Sequence, residues 1–231
     1  MPRPCLCLVT DRSLVGSVSL IPLVVQAVEG GVDMVQLREK DLPSGQLLKL
    51  AQSLKDAIQD KALLIINERV DITMVIGASG VQLGEDGLPV EPARRLLGPE
   101  YLIGRSVHTV AGAVLAQTQG AGFLVAGTMY ATRSHPGSAP AGPGLVEEMA
   151  EKCRLPIIGI GGITPDNLGP VIQAGACGVA VITSILASDQ PRRAAEELKQ
   201  ALLEAVSGMD NGRGTRAVGR SGEPIGGNDQ A

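Results

Sequence analysis

Two cations and an amide alternate in the run Gln36-Leu37-Arg38-Glu39-Lys40. At a repeat of two, Gln36, Arg38 and Lys40 share one side of an extended segment. Together they can grip an anion, and arginine can do so through two parallel hydrogen bonds. The plainer alternative is a solvated loop in which Glu39 neutralises Lys40. Further on, Ile65-Ile66-Asn67-Glu68-Arg69 ends an apolar stretch in an amide and a carboxylate, and Leu83-Gly84-Glu85-Asp86-Gly87 brings two more acids. Mg²⁺ takes one or two carboxylates together with phosphate oxygens, so Glu68 and these acids suit magnesium beside a phosphate. Alternatively, Asn67 caps the next helix and Glu68 favours its N-terminus. In Gly104-Arg105-Ser106-Val107-His108-Thr109, Ser106 can meet a substrate, while His108 can equally be a core or cap residue.

A second kind of anion chemistry needs no cation. Ile158-Gly159-Ile160-Gly161-Gly162-Ile163-Thr164 and Val179-Ala180-Val181-Ile182-Thr183-Ser184-Ile185 are both apolar runs ending in a turn that opens a helix. Free backbone N–H groups at a Gly-Gly turn and at a helix start bind phosphate directly. The alternative is that Gly161 and Gly162 only permit a tight turn.

These groups must be positioned by a repeating framework. A phrase of helix end, glycine and apolar strand recurs at Gly31, Gly77, Gly120 and Gly175. Each step is about two strand–helix units long, and four such steps make the eight units of a (β/α)8 TIM barrel, an α/β fold. Strands are expected over Cys5–Thr10, Met34–Arg38, Ala62–Asn67, Gly80–Leu83, Leu102–Ser106, Phe123–Gly127, Ile157–Gly161 and Val179–Ile182. Their short, continuous apolar character is that of strands buried on both faces. Leu47, Leu48, Ala51, Leu54 and Ile58 form a clear helical stripe. Thr164-Pro165-Asp166-Asn167 reads as an N-cap followed by proline at the first helical position. The last long helix is expected at about Pro191–Val206. The barrel therefore occupies residues 1–206. From Ser207 to Ala231 the chain turns to Gly, Arg, Asn, Asp and Ser, a composition that predicts a disordered polar tail. Arg133–Pro143, rich in proline and glycine, falls on a loop after strand six, where long loops are more often lids than spacers.

Composition narrows the function. The 231 residues are 44% hydrophobic but only 1% aromatic, so branched aliphatics must fill the core. A net charge of −4 and so few aromatics argue against nucleic-acid binding. The four cysteines, Cys5, Cys7, Cys153 and Cys177, form no Cys-x-x-Cys pair, which disfavours zinc. Neither a leader nor a membrane-spanning run is read, so a cytoplasmic protein is expected. Its expected partners are small phosphorylated molecules and, in a homo-oligomer, further copies of itself, with no nucleic acid and no membrane.

From about Leu6 to Ala205 the chain resembles the thiamine phosphate synthase and thiazole tautomerase family. The resemblance rests on Thr10-Asp11, the Gln36–Lys40 run, Ile66-Asn67, Gly84-Glu85-Asp86, Gly104–His108, Gly159–Ile163 and Val181–Ile185, in that order at successive strand ends. It implies a transferase that joins a hydroxymethylpyrimidine diphosphate to a thiazole phosphate with loss of pyrophosphate. By the same resemblance Gln36, Arg38, Lys40 and Asn67 hold the diphosphate, Glu68 carries Mg²⁺ with Asp86 or Glu85 substituting for the second carboxylate, and Ser106 faces the pyrimidine. Gly161, Gly162, Ile182 and Thr183 hold the thiazole phosphate, and Thr132 and Ser134 supply hydroxyls from the loop after strand six.

The sequence departs from the synthase pattern at three places. Glu68 replaces a metal-binding aspartate, and Gly87 stands where a second is expected. Ala131-Thr132-Arg133-Ser134-His135 replaces Pro-Thr-x-Thr-Lys. The tautomerase branch is the rival reading; its general-base histidine matches Thr128, and His135 would have to take over proton transfer. A catalytically silent phosphate-binding barrel is a third reading. A Schiff-base aldolase needs a lysine inside the barrel, and the predicted strands contain none.

Overall fold

The eight apolar runs become eight parallel strands, β1 (Cys5–Val9), β2 (Met34–Leu37), β3 (Leu63–Asn67), β4 (Gly80–Leu83), β5 (Leu102–Val107), β6 (Phe123–Gly127), β7 (Ile157–Ile160) and β8 (Gly178–Val181). In this computed structural model, which describes residues 1–16, 19–132 and 139–214, each strand pairs with its sequence neighbours. Cys5 beside Gly178 and Leu8 beside Val181 close β1 onto β8. The result is the (β/α)8 barrel expected from the glycine phrases. Those glycines lead into β2, β4, β6 and β8 with φ of 103°, 59°, 91° and 105° at Gly31, Gly77, Gly120 and Gly175. This left-handed backbone favours glycine where a helix turns back into a strand.

Helices α1 (Leu20–Glu29), α2 (Ser44–Ile58), α3 (Val70–Ile76), α4 (Val90–Leu97), α5 (Val110–Thr118), α6 (Pro143–Lys152) and α7 (Leu168–Gln173) cover the outside, followed by α8 (Thr183–Leu186) and α9 (Pro191–Gly214). Among the described residues no helix is long and apolar enough to cross a membrane. The stripe on α2 is used as its spacing demands, with Leu47, Ala51, Leu54 and Ile58 buried against the sheet. Because strand side chains alternate, two hydrophobic shells form. One lies between sheet and helices; the other fills the barrel interior with Cys5, Cys7, Val9, Met34, Ile65, Phe123, Val125, Ile158 and Ala180. Cys5 and Cys7 are thus small core residues, and burial pushes the Cys7 thiol up to about 12.

At the strands' N-terminal end, Lys199 of α9 reaches both carboxylate oxygens of Asp33, at 2.9 and 2.7 Å, and Asp33 accepts the Leu6 N–H at 2.7 Å. One ion pair therefore ties the last helix to the first two strands.

Two expectations are corrected. Thr164 does not cap a helix. The Asn167 side chain accepts the Thr164 N–H at 2.8 Å and donates to the Gly162 carbonyl at 2.9 Å, tying residues 164–167 into a turn, so α7 begins at Leu168. Helix α9 does not stop at Val206 but runs to Gly214. The Ser207 hydroxyl bonds back to the Leu203 carbonyl at 3.0 Å, a link compatible with continued helix. Residues 215–231 of the expected tail lie outside the described residues.

Candidate active site

Along each strand the inward positions are apolar until the C-terminal end, where they turn polar. Val9 gives way to Asp11, Met34 to Gln36, and Ile65 to Asn67. These polar ends surround a cavity of about 380 Å³ at the barrel mouth. Arg38, Lys40, Asn67, Glu68, Ser106 and His108 line one side of it; Thr128, Thr132, Gly161, Gly162, Ile182, Thr183 and Ser184 line the other. The structure thus gathers in one cavity the described residues that the sequence assigned to a site, including Gln36 and Asp86. Ser134 and His135, with Arg133 and most of the expected lid, lie outside the described residues.

The amides are organised as pairs. Gln36 donates to the Asn67 side-chain carbonyl at 3.0 Å, and Gln82 donates to the Ser106 hydroxyl at 3.0 Å. Asn67 therefore faces β2 and does not cap α3, whose flanking residue is Arg69. Because Ser106 accepts from Gln82, its own proton is directed to no other acceptor among the described residues and can be donated into the cavity. Gln82 was not singled out in the sequence. It is only 2% exposed, and its side-chain oxygen has no hydrogen-bond partner among the described residues. It fits because Gly104 is beside it: a Cβ there would lie 2.0 Å from the Gln82 oxygen.

Glu39 does not neutralise Lys40. It is buried, accepts the Thr10 hydroxyl at 2.7 Å and pairs with the Arg12 guanidinium at 3.2 Å. Burial raises its pKa from the ordinary carboxylate value, against the pull of the Thr10 hydroxyl and of Arg12. Among the described residues Arg38 and Lys40 are left with no carboxylate within 4 Å, so both remain available to an anion.

Glu68 takes up an unusual place. With φ of 64° it leaves β3 in the left-handed region, and its carboxylate accepts the Gly84 N–H at 2.7 Å. A Cβ on Gly87 would lie 2.2 Å from the other Glu68 oxygen, so the longer glutamate fills the space beside Gly87. Asp86 is exposed at the rim. Glu85 lies 3.7 Å from His108, whose other ring nitrogen is 2.8 Å from the Gly127 carbonyl. His108 is thus neither core nor helix cap but a rim residue. Arg105, on the outward side of β5, holds the β4–α4 loop through the carbonyls of Glu85 and Leu88 at 2.7 and 3.0 Å. Among the described residues no group of three or more His, Cys, Asp or Glu side chains gathers for a metal.

On the opposite side, Gly161 and Gly162 turn with φ of 109° and 63°. Their added Cβ atoms would lie 2.4 Å from the Thr128 methyl and 2.5 Å from the Ala131 carbonyl. The Ser184 hydroxyl donates to the Ile163 carbonyl at 2.6 Å and fastens this turn to the start of α8. The first N–H groups of any helix lack an intrahelical acceptor, so Thr183 and Ser184 present theirs beside the glycine turn.

Comparison with known proteins gives the family. The sequence profile of the family described as thiamine monophosphate synthase matches residues 6–185. A putative thiamine-phosphate synthase of Geobacter sulfurreducens is 43% identical over 194 residues, covering 83% of this chain and 91% of its own. A thiamine-phosphate synthase of Chlorobium luteolum is 41% identical over 214 residues, covering 92% and 97%. The solved thiamine phosphate pyrophosphorylase of Pyrococcus furiosus superposes with a TM-score of 0.80 at 31% identity, over 87% of this chain and 96% of its own. The chain belongs to the thiamine monophosphate synthase family.

Proposed function

We propose that this mouth condenses a hydroxymethylpyrimidine diphosphate with a thiazole phosphate, giving thiamine phosphate and pyrophosphate. The observation that carries the reading is the pair of anion-holding regions on opposite sides of one cavity, one of cations and one of backbone turns. A reaction that brings a diphosphate and a monophosphate together needs two such regions. Arg38 and Lys40 would hold the diphosphate and stabilise negative charge as the carbon–oxygen bond to pyrophosphate breaks. Gln36 and Asn67 are placed to support it as one hydrogen-bonded pair. Ser106 would donate its proton to the pyrimidine and orient it. The turn at Gly161 and Gly162, with Ile182 and Thr183, would seat the thiazole phosphate so that the ring nitrogen forms the new carbon–nitrogen bond. The relatives named thiamine-phosphate synthase, and Arg38 and Lys40 with no carboxylate within 4 Å among the described residues, favour this over the tautomerase and the silent binder.

The acids at the mouth fit Mg²⁺ that arrives with the diphosphate. One oxygen of Glu68 is held by Gly84 and the other lies beside Gly87; Glu68 lines the cavity, and Asp86 stands at the same rim. Glu68 and Asp86 would hold the ion, and Mg²⁺ there would offset charge on the departing pyrophosphate. Two exposed or half-buried acids alone bind it weakly. Calorimetry should detect negligible Mg²⁺ binding to the free protein and clear binding once a diphosphate is present; tight binding by the free protein would contradict this assignment. The whole reading is tested by supplying purified protein with both substrates, with and without Mg²⁺. Magnesium-dependent appearance of thiamine phosphate supports it, and the absence of product in both conditions rejects it. We place the reaction in the cytoplasm, supported by the unpaired thiols of Cys5, Cys7, Cys153 and Cys177.

A further inference from the structure

Lys40 is flanked in the chain by two acids, Glu39 and Asp41. Left to themselves, these would compete with any ligand for the charge of Lys40 and Arg38. Neither does so, because both are drawn to one residue on a different loop. Arg12, just after β1, pairs through Nε with Glu39 at 3.2 Å and through Nη2 with Asp41 at 2.7 Å. Its backbone N–H also donates to Glu39, at 3.1 Å. Arg12 itself does not line the cavity.

Thr10 completes the device. It is fully buried, its hydroxyl donates to Glu39 at 2.7 Å, and the same oxygen accepts the Arg38 N–H at 2.9 Å. Its own N–H donates to the Gln36 carbonyl at 2.9 Å. One side chain therefore fixes the backbone of Arg38 and anchors the carboxylate of the next residue. With Glu39 held away from the cavity, alternation turns Arg38 and Lys40 toward it.

We propose that Arg12 is a positioning residue which, by taking up Glu39 and Asp41, keeps Arg38 and Lys40 uncompensated and aimed at the diphosphate. The inference rests on the reading that Arg38 and Lys40 hold that diphosphate. The Arg12–Asp41 pair is exposed and adds little to stability, while the buried Glu39 keeps the Thr10 hydroxyl and the backbone N–H of residue 12 as donors when the guanidinium is removed. The consequence of Arg12 lies in the field at the mouth, where removing a carboxylate from beside a cation strengthens its pull on an anion.

The test is calorimetric titration of inorganic pyrophosphate into the full chain and three variants, Arg38→Ala, Arg12→Ala and Arg12→Ala with Asp41→Asn. Arg38→Ala should bind pyrophosphate least. Arg12→Ala should bind it about 10-fold more weakly than the unaltered chain, because Asp41, released from its one partner among the described residues while Thr10 still holds Glu39, competes for Lys40 and Arg38. Adding Asp41→Asn should recover most of that loss, a rescue that a merely structural role for Arg12 would not give. Thiazole phosphate binding should be unchanged by Arg12→Ala. Unaltered pyrophosphate affinity in Arg12→Ala, or a loss that Asp41→Asn leaves in place, overturns the inference while Arg38→Ala still reports on the diphosphate reading. Equal affinity in Arg38→Ala and the unaltered chain removes that reading, and the inference with it.

Discussion

On the β2–β4 side of the mouth the groups facing the cavity are side chains, Arg38, Lys40 and Glu68 above all; on the β7–β8 side they are chiefly the backbone turn at Gly161 and Gly162 and the start of α8. The first region depends on charges that neighbouring residues must leave free. The second depends on φ values of 109° and 63° that glycine adopts without strain. A side-chain grip can be tuned or removed one group at a time, and it answers to salt, pH and nearby acids. A backbone grip cannot be deleted by truncation, only spoiled by adding atoms. The two regions should therefore fail under different substitutions, and each failure should spare the other side.

The largest separation is expected from Arg38→Ala. It should lower kcat/KM by about 1,000-fold, the scale of losing a preorganised charge contact in the transition state. Thiazole phosphate binding, followed by calorimetry, should stay nearly intact. Gly161→Ala should act in reverse, weakening thiazole phosphate by about 100-fold through backbone strain and the 2.4 Å clash with Thr128, while pyrophosphate binding persists. If both variants lose both ligands, the two regions are one cooperative unit and the comparison breaks down.

Smaller effects sharpen it. Gly87→Ala puts a methyl against the Glu68 carboxylate, whose flexible end can move aside, so the Mg²⁺ concentration needed for half-maximal activity should rise only by about 5-fold. The mildest signature is in pH. Burial raises the Glu39 pKa above its unfolded value. Its contribution to stability is therefore full below the ordinary carboxylate range and is lost as pH rises through the raised value. Urea midpoints followed upward from acid pH should fall more in the unaltered chain than in Glu39→Gln. An equal slope in both would show that Glu39 does not titrate there.

What was legible in the sequence follows the same division. The barrel could be read because buried parallel strands leave continuous apolar runs and because glycine is favoured at φ values such as those of Gly31 and Gly175. The strand-end motifs could be read because a fixed strand direction sends their residues to one rim. Partners at long range were hidden. Nothing local in Glu39 says that its partner is Arg12, 27 residues earlier, and nothing in Gln82 says that it meets Ser106. Lys40 was the nearer partner by sequence, and the fold chose otherwise because Thr10 and Arg12 offer three donors to a carboxylate that alternation has already turned away. The start of α7 was misplaced for a related reason: the Thr164-Pro165 signal for a helix start was overridden by the Asn167 side chain.

The closure of β1 onto β8 also bears on how the chain is made. Cys5–Val9 is wholly buried in the finished barrel, yet the strand it meets on that edge begins only at Gly178. During synthesis at about 5–20 residues per second, β1 must wait roughly 9–35 s for that partner. Throughout that interval it carries an apolar edge able to pair with other strands. The ion pair of Asp33 with Lys199 forms later still, so the first two strands receive their last fastening only when α9 has left the ribosome.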